Sequence, residues 1–95
     1  MPNQFSIEIL DAPNDGVAFR PDLPGAKEGD PLRVRPNDLV SWSNRTNRNL
    51  TLESIDPPGM HLEIAAGDQS DLIVVTQNIT YRCTHPVQQH VIEII

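Results

Sequence analysis

The apolar residues of this chain alternate one by one in short runs, and each run is stopped by turn chemistry. In "QFSIEIL", Phe5, Ile7 and Ile9 alternate with Ser6 and Glu8; in "LVSWSN", Val40 and Trp42 alternate with Ser41 and Ser43; in "LTLESI", Leu50 and Leu52 share one side. A period of two places successive side chains on opposite faces of a strand, and no run sustains the 3.6-residue period of a helix. The breaks are dense. "DAPNDG" (Asp11 to Gly16), "DLPGAKEGDP" (Asp22 to Pro31), Pro36-Asn37-Asp38, "NRTNRN" (Asn44 to Asn49) and "DPPGM" divide the chain, and 9 prolines limit how far any element can run. "VAFRP" reads as a short strand stopped by Pro21, "DLIVV" as a buried strand, "ITYRC" and "VIEII" as the last two. "HLEIAAG" reads as a short strand or one helical turn. Seven to eight short strands with close-spaced turns predict an all-β sandwich or barrel, in one domain spanning residues 1–95.

Charge narrows the partners. With 13 acidic against 7 basic residues the net charge is −6, which opposes binding to nucleic acid or to an anionic membrane surface and suits a partner with a basic face. No apolar run approaches the length of a membrane span. The start "MPNQFSIEIL" lacks a basic segment followed by an apolar one, so a cytoplasmic location is expected as the chain stands, and a periplasmic one if Met1 replaces a removed signal. Three N-x-[ST] triplets, at Asn44, Asn49 and Asn78, are read as chance matches.

The single cysteine excludes an internal disulfide. Cys83, His85 and His90 instead lie within eight residues of one another in "TYRCTHPVQQHVIEII", at a strand–turn–strand junction. Cys83 alone reads as a small buried hydrophobe. The two imidazoles beside it add a metal reading, because thiolate and imidazole together suit copper and zinc. By alternation Tyr81 and Cys83 share a face of one strand, and His90, Ile92 and Ile94 share a face of the next. Trp42 falls on a core face. Arg45 and Arg48 in the asparagine-rich loop read as a solvated loop or as a dock for an acidic partner. No nucleophile elbow, thiol-protease constellation or phosphate-binding glycine loop is present.

Four stretches, taken in order, resemble the cupredoxins, small Greek-key β-sandwiches whose blue-copper members carry electrons. These are "VAFRP", "LRVRPNDLVSWSNRT", "AAGDQSDLIVV" and "YRCTHPVQQHVIEII", with Asn37 standing where glycine is usual. The resemblance spans nearly the whole chain. It implies a copper ion at one end of the sandwich, with Cys83 as thiolate ligand and His85 and His90 as imidazole ligands. The implied task is electron transfer or copper handling with a redox or copper-delivery protein as partner, and not enzymatic catalysis.

The chain also departs from that pattern. The family's upstream histidine falls near Asn49, no histidine lies between Trp42 and Met60, and one residue separates Cys83 from His85 where the family has two or more. His90 stands in place of the axial methionine, as in red copper proteins of the nitrosocyanin kind, which use a glutamate in place of the upstream histidine. Candidates for the fourth position are therefore Glu53, Asn49, His61 and Glu63. A metal-free cupredoxin-like protein-binding module, which has lost a complete copper site, and a redox enzyme with an open red-copper-type site are the alternatives.

Overall fold

A computed structural model describes residues 3–95. Nine strands form: β1 (Gln4–Ala12), β2 (Gly16–Pro21), β3 (Leu32–Val34), β4 (Asp38–Asn44), β5 (Leu50–Asp56), β6 (His61–Ile64), β7 (Ile73–Val75), β8 (Ile79–Thr84) and β9 (Val87–Ile94). They make two sheets. One has the order β2-β1-β4-β7 and the other β3-β9-β8-β5-β6. The chain crosses between sheets at β2–β3, β3–β4, β4–β5, β6–β7 and β7–β8, which gives the Greek-key winding. β1 lies parallel to β4 and β3 parallel to β9. The count is nine where the alternation predicts seven to eight; the difference is β6, the segment that reads as a short strand or one helical turn.

Alternation decides what is buried. Ile7, Ile9, Val40, Trp42, Leu52, Tyr81, Cys83 and Ile92 are fully enclosed between the sheets, while their sequence neighbours face outward. On the outward side Glu8 holds Arg20 at 2.7 Å and Arg45 at 3.3 Å. "HLEIAAG" resolves as strand: His61–Ile64 pairs along β5, and the turn follows it. "DLIVV" differs from its reading as a buried strand. β7 pairs only with β4, at the edge of its sheet, so Val74 is 57 % exposed and Leu72 44 %. A continuous apolar run does not distinguish a doubly covered strand from an edge strand with one face open.

Asn37, in the turn between β3 and β4, has φ of 74°. Asparagine tolerates this left-handed conformation better than most non-glycine residues, which accounts for its presence where glycine is usual. Asp38 follows it. Its carboxylate accepts the backbone N–H groups of Arg35 (2.8 Å) and Asn3 (3.0 Å), and these bonds hold its pKa below the ordinary carboxylate value. Among the described residues no helix is long and apolar enough to cross a membrane.

Candidate functional site

The hairpin β8–β9 carries every residue singled out near the C-terminus. Its register pairs Ile79 with Ile92, Tyr81 with His90, Cys83 with Gln88 and Thr84 with Val87. Pairing continues to the last residue on each side, so His85 and Pro86 alone make the turn. β9 therefore begins at Val87, and His90 is its fourth residue rather than its first. The expected faces hold: Tyr81 and Cys83 point inward, as do His90 and Ile92.

The Tyr81–His90 rung is sealed by hydrogen bonds. Trp42 Nε1–H donates to the Tyr81 hydroxyl at 2.9 Å, the Tyr81 hydroxyl lies 2.5 Å from His90 Nδ1, and His90 Nε2 lies 2.6 Å from the Asp30 carbonyl. A carbonyl only accepts, so Nε2 carries the proton. In the neutral ring Nδ1 is then the acceptor, and Tyr81 donates to it while accepting from Trp42. Phe19 stacks on His90 with ring centroids 5.3 Å apart, and Tyr81 meets Phe19, Trp42 and His90 edge-on. Burial raises the Tyr81 pKa well above its ordinary value. Burial also lowers that of His90, against the opposing pull of the Asp30 carbonyl. Among the described residues no buried side-chain nitrogen or oxygen lacks a partner.

The next inward rung toward the turn, Cys83–Gln88, is of another kind. Cys83 is wholly enclosed, paired with Leu52 on one side and Gln88 on the other, and burial raises its thiol pKa. Gln88 faces the same way as Cys83 but lies at the exposed rim. It went unread in the sequence, although a turn at His85-Pro86 fixes it opposite Cys83. His85 is exposed in the turn.

The four fourth-position candidates divide between two places. Asn49 is exposed just before β5, where its Oδ1 accepts Ala66 N–H at 3.1 Å; it lies three residues from Leu52, the β5 partner of Cys83. Glu53, His61 and Glu63 sit on the outer face of the sheet, opposite to Cys83. There Glu53 holds Arg82 at 2.7 Å, His61 pairs with Glu53 in the register, and His61 Nε2 lies 3.7 Å from Glu63. Among the described residues no three His, Cys, Asp or Glu side chains gather closely enough to hold a metal ion. For His90 to bind one, it would leave the Tyr81 hydroxyl or the Asp30 carbonyl without its partner.

The loop before β5 is tied down from within. Asn44 is 1 % exposed; its Nδ2 donates to the carbonyls of Arg48 (2.8 Å), Ile64 (3.0 Å) and Ala65 (3.2 Å), and its Oδ1 accepts from Thr46 N–H (3.0 Å) and Oγ1 (2.7 Å). Arg48 donates to the Asp15 and Gly16 carbonyls and lies 3.7 Å from Asp11. Arg45 reaches Glu8. Both loop arginines are thus engaged by their own chain.

The sandwich resembles several solved structures. It overlays on a purple cupredoxin from Nitrosopumilus maritimus with a TM-score of 0.66 at 18 % identity, over 95 % of this chain and 98 % of that one. The chain has the cupredoxin fold. A Cu(I) form of an amicyanin methionine variant overlays on 95 % of this chain and 82 % of its own, with a TM-score of 0.60 at 18 % identity. The fold also matches part of a multicopper oxidase from the hyperthermophile Aquifex aeolicus, with a TM-score of 0.55 at 11 % identity, over 97 % of this chain and 27 % of that one. No protein-family model and no curated protein matches the sequence. The likeness is therefore one of backbone architecture, and the chemistry of the turn end rests on this chain's own residues.

Proposed function

We propose that this protein is a cupredoxin-fold binding module that works without a three-ligand copper centre and presents its turn end to a protein partner with a basic face. One observation carries the reading: both ring nitrogens of His90 are committed, to Tyr81 and to Asp30. Cys83, His85 and His90 do not fit a shared metal in this arrangement, since only Cys83 and His85 remain and the upstream place belongs to Asn49. The net charge of −6, with both arginines of the adjoining loop paired internally, favours a basic partner. The open red-copper reading requires a carboxylate beside Cys83, and Glu53 and Glu63 face the other side of the sheet.

A second reading has its own support. Gln88 opposite Cys83 is the kind of weak axial neighbour that copper sites accept in place of methionine. With His85 two residues from Cys83, a copper site for electron transfer or copper handling would centre on Cys83 and His85, and on His90 only after it left its present bonds. Loading the protein with Cu(II), dialysing, and recording metal content and visible spectrum separates the two. Copper that dialyses away without a visible band supports the metal-free module. Stoichiometric copper with a thiolate-to-copper band lost in Cys83→Ser overturns it in favour of the copper site.

A further inference from the structure

We propose that Tyr81 and His90 form a one-electron redox pair, in which oxidation of the Tyr81 phenol moves its proton to His90 Nδ1. This goes beyond the binding reading and concerns the protein with His90 in its present hydrogen bonds, free of metal.

The obstacle to oxidising a buried tyrosine is its proton. A phenol that loses an electron becomes a very strong acid, and a site without a base must hold that charge in a low-dielectric interior. Here a base is already in place. The Tyr81 oxygen and His90 Nδ1 are 2.5 Å apart, and Nδ1 is the acceptor because Nε2 donates to Asp30. Outer-sphere removal of one electron by a high-potential one-electron oxidant leaves the neutral phenoxyl radical of Tyr81. The hydroxyl proton crosses the existing hydrogen bond, and His90 becomes imidazolium; one-electron reduction returns both. Trp42 Nε1–H, at 2.9 Å, continues to donate to the phenoxyl oxygen, and the Asp30 carbonyl continues to accept from the charged ring. The phenol itself is enclosed, which shields the radical from solvent. His90 lies at the floor of two surface hollows, one beside Gly29 and Pro31 and the other beside Glu28 and Gln88, so an acceptor docked there is one ring away from Tyr81.

The composition makes the test clean, because the chain has 1 tyrosine, 1 tryptophan and 1 cysteine, so each side-chain radical has a single source. Metal-stripped full-length protein is oxidised with photogenerated tris(bipyridyl)ruthenium(III) and followed by transient absorption and EPR. The expected product is a neutral phenoxyl radical that is absent in Tyr81→Phe and forms more slowly in deuterated solvent. His90→Gln preserves one acceptor and one donor but removes the base, and is expected to slow phenoxyl formation about a hundredfold. The isotope effect is read on the unaltered protein, so the test survives a His90→Gln that does not fold. A radical resting on Trp42 or Cys83, no phenoxyl signal, an absent isotope effect, or an unchanged rate in folded His90→Gln overturns the proposal.

Discussion

Two neighbouring inward rungs of one hairpin have opposite characters. At Tyr81–His90 every polar atom is matched, through Trp42 on one side and the Asp30 carbonyl on the other. At Cys83–Gln88, one step nearer the turn, a buried thiol with few polar demands faces an amide at the exposed rim. The difference shows how an interior position tolerates polar chemistry. A matched network stabilises because breaking it leaves buried groups unpaired, whereas a thiol at the edge of the core contributes mainly by filling space. A histidine in the first setting is a structural member, and donors in the second setting and the turn remain available to a ligand.

The largest test of that contrast is His90→Ala. It removes the ring packed on Phe19, leaves the Tyr81 hydroxyl proton without an acceptor and takes the imidazole donor from the Asp30 carbonyl, so a loss of about 3–5 kcal/mol is expected in urea unfolding. A loss below 1 kcal/mol would show that the rung is not closed in solution. Cys83→Ser, which places a hydroxyl where a thiol packs, is expected to cost about 1–3 kcal/mol by the same measurement. Before unfolding, the Cys83 thiol should react slowly with a maleimide, and rapid labelling of the folded protein would contradict its burial.

The pH dependence has a defined sign. His90 has a folded pKa below its ordinary value, so the unfolded chain takes up a proton first as pH falls. Stability is full above about pH 6.5, the ordinary histidine value, and declines as pH falls from there through the folded pKa. Asp38, also depressed in the folded state, adds a second decline at lower pH, below the ordinary aspartate value. Unfolding curves across this range should show the first decline in the parent protein and a flatter profile in His90→Gln. The smallest effect belongs to Gln88→Ala, expected to change stability by no more than about 0.5 kcal/mol. A larger loss would move Gln88 from the rim into the packed interior.

Much of the fold was legible because alternation reports faces directly. It placed Trp42 in the core, Tyr81 and Cys83 on one side of β8, and His90 with Ile92 on β9. It does not report register. Which residue lies opposite which depends on where the turn falls, and the polar and proline-containing segment after Cys83 reads as a loop of indefinite length. Once His85 and Pro86 alone make the turn, Tyr81 must meet His90 and Gln88 must meet Cys83. Hydrogen-bond partners distant in sequence were equally hidden. Asp30 belongs to a loop 60 residues from His90, and Asn44, which opens a polar tract, is among the most buried polar residues because three carbonyls converge on its amide. The exposure of β7 was hidden for the same reason, since an edge is a property of the assembled sheet.

The closed amide of Asn44 bears on how the protein would fare if it were made in a glycosylating secretory route. Asn44-Arg-Thr46 is a glycan acceptor sequence, but its Nδ2, the atom that would carry the sugar, makes three internal hydrogen bonds and the residue is 1 % exposed. Folding and sugar attachment at Asn44 are therefore mutually exclusive. Asn49 and Asn78 engage the backbone through Oδ1, leaving Nδ2 outside those bonds. A glycan on Asn44 would mark a chain caught before its sandwich had closed.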